Sequence, residues 1–166
     1  AIAAPTAGLH FTPEVLEALR ERGTRVFELT LHVGLGTFSA VEDSDLRKHR
    51  MHSEHFQISE AVLNDLLEVK TEGKPIIAVG TTVVRVLESL ALENYQRHSG
   101  WTDIFIYPPY EFRLVDGMLT NFHLPNSTLM MLVSAFCGRN NLLKAYQEAV
   151  QERYRFFSYG DCMLIH

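Results

Sequence analysis

Residues 75–92, PIIAVGTTVVRVLESLAL, constrain the fold of this chain more than any other stretch. Pro75 opens a short apolar run that closes at Gly80, which reads as a buried strand. The next residues, GTT, turn straight into VVRVLESLALE, a helix whose N-cap is Thr81 or Thr82. A buried strand feeding a helix through so short a turn is the building unit of layered α/β folds. The start of such a helix presents free amide groups that attract carboxylates and other anions. Arg85, about one turn in, is placed to pair with a carboxylate; the plain alternative is an ordinary surface Arg on an amphipathic helix.

The rest of the chain fits the same scheme. Thr12 before Pro13, apolar Val15, Leu16 and Leu19, and Gly23 behind them predict a capped helix. A strand over 25–33 turns Phe27, Leu29, Leu31 and Val33 to one side and His32 to the other. Asp43 to His52 is charged and irregular, and MHSEHFQI suggests a short strand with His52, Glu54 and Phe56 on one face. A second helix starts near Ser59, buries Val62, Leu63, Leu66 and Leu67, and stops at Gly73. A loop over about 91–102 leads to DIFIY, a second buried strand. EFRLV, Asp116-Gly117 and MLTNF carry the strongest hairpin signal. Ser127 caps the apolar helix TLMMLVSAF, which Gly138 closes; a last helix over about 141–153 precedes an extended YRFFSYGDCMLI. The expected fold is α/β, a layered mixed sheet flanked by helices with one β-hairpin, and α+β is the alternative.

With 46% hydrophobic and 21% charged residues, the 166-residue chain has the composition of a globular domain. No apolar run approaches the roughly 20 residues that span a bilayer, and the N-terminus lacks signal-peptide blocks, so the expected location is cytoplasmic, with no membrane partner. Cys137 and Cys162 sit among apolar residues and read as reduced core thiols. A net charge of −5 argues, taken alone, against a nucleic-acid partner.

Several stretches are candidates for chemistry. In TLHVGLGTF (30–38) the glycines resemble a phosphate loop, yet there is no Lys, and Ser39 stands where a third Gly would be needed. Gly34 and Gly36 are then read as relieving a bend after a strand. His10, His32, His52 and His123 lie beside Gly, Pro or strand ends, where open α/β sheets place ligand-binding groups. His52 and His55 do not form HExxH and have no Cys pair, so no metal is expected. His52 with Glu54 would suit a general base; a solvent-facing polar edge is the alternative. Arg153 and Arg155 among the aromatics of YRFFSYGD fit unpaired bases, or simply a core strand.

Taken in order, AAPTAGLHFTPEVLEAL, LHVGLGTF, MHSEHF, IIAVGTT, TDIFIYPPYEFRLVDGMLTNFHLPNSTLMMLVSAF and YRFFSYGD resemble the S-adenosylmethionine:tRNA ribosyltransferase-isomerase family of queuosine biosynthesis. The resemblance covers residues 1–166 and is to the C-terminal part of the family's α/β domain, with the N-terminal half and its β-barrel domain missing. It implies transfer and isomerisation of the ribosyl group of S-adenosylmethionine onto 7-aminomethyl-7-deazaguanine at a tRNA wobble position, giving epoxyqueuosine and releasing adenine and methionine. It implies a monomer that needs no cofactor, S-adenosylmethionine being a cosubstrate. The basic tRNA surface is then shared with the missing half, which answers the acidic charge.

That chemistry assigns roles as expectations. The sulfonium acidifies adjacent C–H bonds, so a modest base suffices, with His52, Glu54 and His32 as candidates. His10 or His123 would donate to departing adenine. Thr81, Thr82 and Arg85 would take the methionine carboxylate, and Asp103 or Asp161 its ammonium or the ribose hydroxyls. Gly34 and Gly36 would let the backbone approach a flat base or sugar, and Tyr110 completes the substrate-binding set. Val83, Pro109, Ala40, Cys137 and Cys162 depart from the family pattern; Val83 removes a hydroxyl from the helix start. The competing readings are a nucleic-acid-binding or structural module, and a methyltransferase, which is disfavoured for want of a glycine-rich turn after a first strand.

Overall fold

The computed structural model describes residues 6–34, 46 and 49–166. A short 3-10 helix (Thr6–His10) leads to α1 (Pro13–Glu21), whose N-cap Thr12 accepts from the Val15 amide and which has Pro at its first position. Strands β1 (Thr30–His32), β2 (Glu54–Gln57) and β4 (Ser99–Thr102) make one antiparallel sheet in that order. Strands β3 (Ile77–Val79), β5 (Gly117–Asn121) and β6 (Cys162–Ile165) make a second, in which β3 and β5 are parallel and β6 is antiparallel. The helices are α2 (Glu60–Thr71), α3 (Thr81–Leu92), α4 (Thr128–Cys137) and α5 (Arg139–Gln151). The fold is α/β, two small sheets with five helices, and no closed barrel among the described residues.

The α3 helix organises the core. It touches β1 and β4 of one sheet, β3 and β5 of the other, and α4. Val84, Leu87 and Leu90 are buried there with Phe56 of β2, Ile106, Leu114 and Met118 of β5. Each such side chain contributes about 1.5–3 kcal/mol of hydrophobic stabilisation. Ser59 and Ser127 cap α2 and α4 by accepting from the Val62 and Met130 amides. Cys137 and Cys162 are free thiols and only partly buried, so neither is a core residue of the expected kind. The α1 helix buries none of its residues.

Four expectations are corrected. Gly80, at φ 94°, is the N-cap of α3 and provides no side-chain cap bond, so Thr81 and Thr82 lie inside the helix. The strand near 52–56 begins only at Glu54, leaving His52 exposed and off the sheet. Residues 103–107 are irregular, and the strand of that region is β4, inside the expected loop. The hairpin at Asp116-Gly117 does not form: residues 111–115 are irregular and β5 pairs with β3 and β6 instead. The physical reason is the buried Glu88 of α3, whose carboxylate accepts from the amides of Arg113, Leu114 and Val115, each at 3.0 Å, and so replaces a partner strand.

Candidate active site

The two parallel strands β3 and β5 end at one crevice, where open α/β sheets bind ligands. A cavity of about 190 Å³ opens there. Its floor is the turn from β3 into α3, pinned by the Gly80 amide donating to the Leu119 carbonyl at 2.8 Å. The positive φ of Gly80 suits a residue without Cβ, and the start of α3 that follows it borders the cavity. Thr81 and Thr82 line the same wall, and Val33, Phe122, Leu124 and Leu129 supply an apolar one.

Arg85 also lines the cavity, although its side chain is 98% withdrawn from solvent, only 2% remaining exposed. One end of its guanidinium, Nη1, donates to Glu54 Oε2. Glu54 Oε1 accepts the Gly34 amide at 2.7 Å, which ties the end of the LHVG stretch to the arginine. Nε and Nη2 of Arg85 have no partner among the described residues. Buried donors are almost always satisfied, so two unpaired N–H groups on a buried cation lining a cavity mark a place for an anion.

Asn121, at the end of β5, faces the opposite requirement. Its Nδ2 is surrounded by acceptors, the carbonyls of Phe157 (3.1 Å), Gly160 (3.4 Å) and Asp161 (3.5 Å) and His10 Nε2 (3.2 Å). Its Oδ1 is buried with no partner among the described residues. The turn it holds is tight, for a Cβ at Gly160 would lie 2.3 Å from the Arg155 carbonyl oxygen. Asp161 closes the turn through the Arg155 amide (2.7 Å) and guanidinium (2.9 Å), which keep its carboxyl below the usual range.

His123 lies two residues further, with Nε2 2.9 Å from the hydroxyl of Thr120. Burial depresses its pKa to about 4, so at neutral pH the ring is uncharged. Its backbone amide donates to the Tyr146 hydroxyl at 2.8 Å, which fixes the segment.

Residues 1–165 match the family described as "Queuosine biosynthesis protein". The chain belongs to that family. It is 57% identical to the S-adenosylmethionine:tRNA ribosyltransferase-isomerase of Natranaerobius thermophilus, the alignment covering 99% of this chain and 48% of the relative. The enzyme of the same name from Halothermothrix orenii is 56% identical, over 99% of this chain and 49% of its own length. The crystal structure of S-adenosylmethionine tRNA ribosyltransferase from Thermotoga maritima superposes with a TM-score of 0.80 and 47% identity, over 96% of this chain and 51% of that one. The chain thus spans about half the length of the relatives it matches.

In this member of the queuosine biosynthesis family, the residues singled out from the sequence separate into groups. Thr81, Thr82, Arg85 and His123 line the cavity; Glu54 and His10 stand one contact behind it, on Arg85 and Asn121, and Gly34 one further, on Glu54. Gly34 has no positive φ, and a Cβ there would meet Glu54 at an ordinary 3.9 Å, so its amide matters here, not its missing side chain. Gly36 lies outside the described residues. His32 is exposed and faces the ring of His55 at 5.9 Å, away from the cavity lining. His52 and Asp103 are exposed and line no part of it either. Tyr110 donates to Glu88 at 3.2 Å, and burial with that carboxylate raises its pKa. Asp161 is engaged by Arg155. Asn121 was not among the residues singled out from the sequence. No helix among the described residues is long and apolar enough to cross a membrane.

Proposed function

We propose that the chain holds S-adenosylmethionine for a tRNA ribosyltransferase-isomerase that forms epoxyqueuosine from a 7-aminomethyl-7-deazaguanine wobble base. The observation that carries this reading is the buried Arg85, which lines a cavity at the start of α3 and has two donors without a partner among the described residues. A carboxylate is the anion that a planar guanidinium fork grips best, and the cosubstrate brings one at its methionine end. Glu54 holds the guanidinium in place; with both oxygens engaged it serves as an orienting partner for Arg85. The enzyme acts in the cytoplasm as a monomer, without a metal or redox cofactor.

The reaction follows from the sulfonium. A base takes a proton from the ribose carbon beside it; the electron pair left behind forms a double bond to the next carbon and breaks that carbon's bond to the ring oxygen, whose electrons become an aldehyde carbonyl as adenine leaves with the glycosidic pair. The aminomethyl group of the base then attacks, and closure of the epoxide displaces methionine as a neutral thioether. His123 is the histidine that lines the cavity, and being uncharged at neutral pH it suits the accepting role, not that of an imidazolium donor. His10 stands behind it on Asn121.

Incubation with S-adenosylmethionine and tRNA carrying the deazaguanine tests the reading: free adenine and methionine in equal amounts are expected. Formation of S-adenosylhomocysteine would mean methyl transfer instead, and tRNA binding without adenine would mean a binding module. His123→Gln is expected to slow adenine release by roughly 10²–10⁴-fold.

A further inference from the structure

Two residues that line the cavity carry hydrogen-bonding demands unmet among the described residues, and these are complementary. Arg85 Nε and Nη2 want acceptors, whereas Asn121 Oδ1 wants a donor. Two of the hydroxyls in the lining are already engaged. Thr120 bonds His123, and Ser127 donates to the Leu124 carbonyl while accepting from the Met130 amide. The orientation of the Asn121 amide is fixed by its surroundings: three carbonyl oxygens and a ring nitrogen encircle one atom, so that atom is the nitrogen, and the oxygen is the other end of the planar amide. A buried carbonyl left without a donor is costly, as is a buried cation with half its fork unused.

We infer that the cavity recognises a complete α-amino-acid group, the carboxylate on Arg85 and the first amides of α3 and the α-ammonium on Asn121 Oδ1. This rests on the reading of the cavity as the methionine end of the S-adenosylmethionine site, and it moves the ammonium to Asn121 from Asp103, which is exposed, and from Asp161, which Arg155 engages. A neutral amide suffices as partner because an ammonium gains strongly from any buried carbonyl acceptor. The apolar wall of Val33, Phe122, Leu124 and Leu129 accommodates the thioether arm. Free L-methionine, a product of the proposed reaction, is therefore a ligand in its own right and competes with the cosubstrate. Asn121 also links this site to the 157–161 turn, since the nitrogen of the same amide holds the Phe157 and Gly160 carbonyls.

The test uses the unaltered chain, so no variant can fail by misfolding. L-methionine and its des-amino analogue 4-(methylthio)butanoate are titrated by equilibrium dialysis, and the Asn121 side-chain amide resonances are followed by NMR. Expected are binding of L-methionine, at least about tenfold weaker binding of the analogue, and a shift of the Asn121 side-chain amide with methionine only. Equal affinity for the two compounds overturns the inference, because Asn121 Oδ1 would then serve another group such as an adenine amine. Absence of methionine binding, or binding that leaves the Asn121 amide unmoved, overturns it as well. Adenine release is scored separately: release together with equal affinities removes only the Asn121 assignment, whereas methionine binding of the expected kind without release removes the ribosyl-transfer reading and leaves the amino-acid site.

Discussion

Arg85 and Glu88 sit one turn apart on α3, both almost wholly buried, and they are satisfied in opposite ways. Glu88 accepts from four donors, the Tyr110 hydroxyl and the amides of Arg113, Leu114 and Val115, and both its oxygens are in use. Arg85, which lines a cavity, bonds the Glu54 carboxylate, and two of its nitrogens have no partner among the described residues. A buried charge with every bond made within the chain is structural, because it ties an irregular segment to the core. A buried charge left short of partners beside a cavity implies a ligand. The same helix therefore holds the fold with one charge and, on the proposed reading, holds the cosubstrate with the other.

That contrast can be broken at either end. Arg85→Ala is expected to lower kcat/KM for adenine release by roughly 10²-fold or more. It should also destabilise the chain by about 3–5 kcal/mol, since Glu54 is left buried without its cation. Glu88→Ala is expected to cost at least about 3 kcal/mol in urea unfolding, by stranding backbone amides. Adenine release per folded molecule should stay within about twofold of the parent, which is where the two charges part company.

A pH titration sharpens the cavity side. The folded pKa of His123 is depressed to about 4 from an ordinary 6.5, so its uncharged ring favours the fold. The stability it contributes is complete above pH 6.5 and is lost as the pH falls toward about 4, the window in which an unfolded chain binds the proton and the folded one does not. Urea unfolding between pH 7 and pH 4.5 should show that loss, and His123→Gln should flatten it. On the structural side, Tyr110→Phe removes one of the four bonds to Glu88 and should cost about 1 kcal/mol by the same unfolding measurement. The exposed pair Arg97–Glu93 gives the smallest effect, under about 0.5 kcal/mol on Glu93→Gln.

Features resting on local chemistry were legible in the sequence. Thr12, Ser59 and Ser127 cap the helices expected of them, and PIIAVG forms the strand that enters α3, although of its three residues only Ala78 is buried and Ile77 is exposed. The irregular hinge at 103–116 was not legible. DIFIY and EFRLV look like strands from their residues alone, but a carboxylate 25 residues upstream of Arg113 satisfies that backbone in place of a neighbouring strand. The site divides in the same way. Arg85 and the α3 turn were readable from a strand-to-helix junction, whereas pairing of Arg85 with Glu54, 31 positions away, depends on how β2 packs against α3. His32 and His52 stood out because histidines near glycines attract attention, yet both face solvent. Asn121 was overlooked because a single amide in an apolar run carries little signal until its two faces are seen to be treated differently.

The central claim is that the Arg85 fork is built for the carboxylate of the cosubstrate. The most direct measurement is the ¹⁵N–¹H resonance of Arg85 Nε during titration with S-adenosylmethionine, compared with the same titration using its carboxamide analogue. A large downfield shift is expected with the acid, saturating together with binding, and little shift and weaker binding with the amide. A resonance that stays in place while S-adenosylmethionine binds fully would show that the carboxylate sits elsewhere.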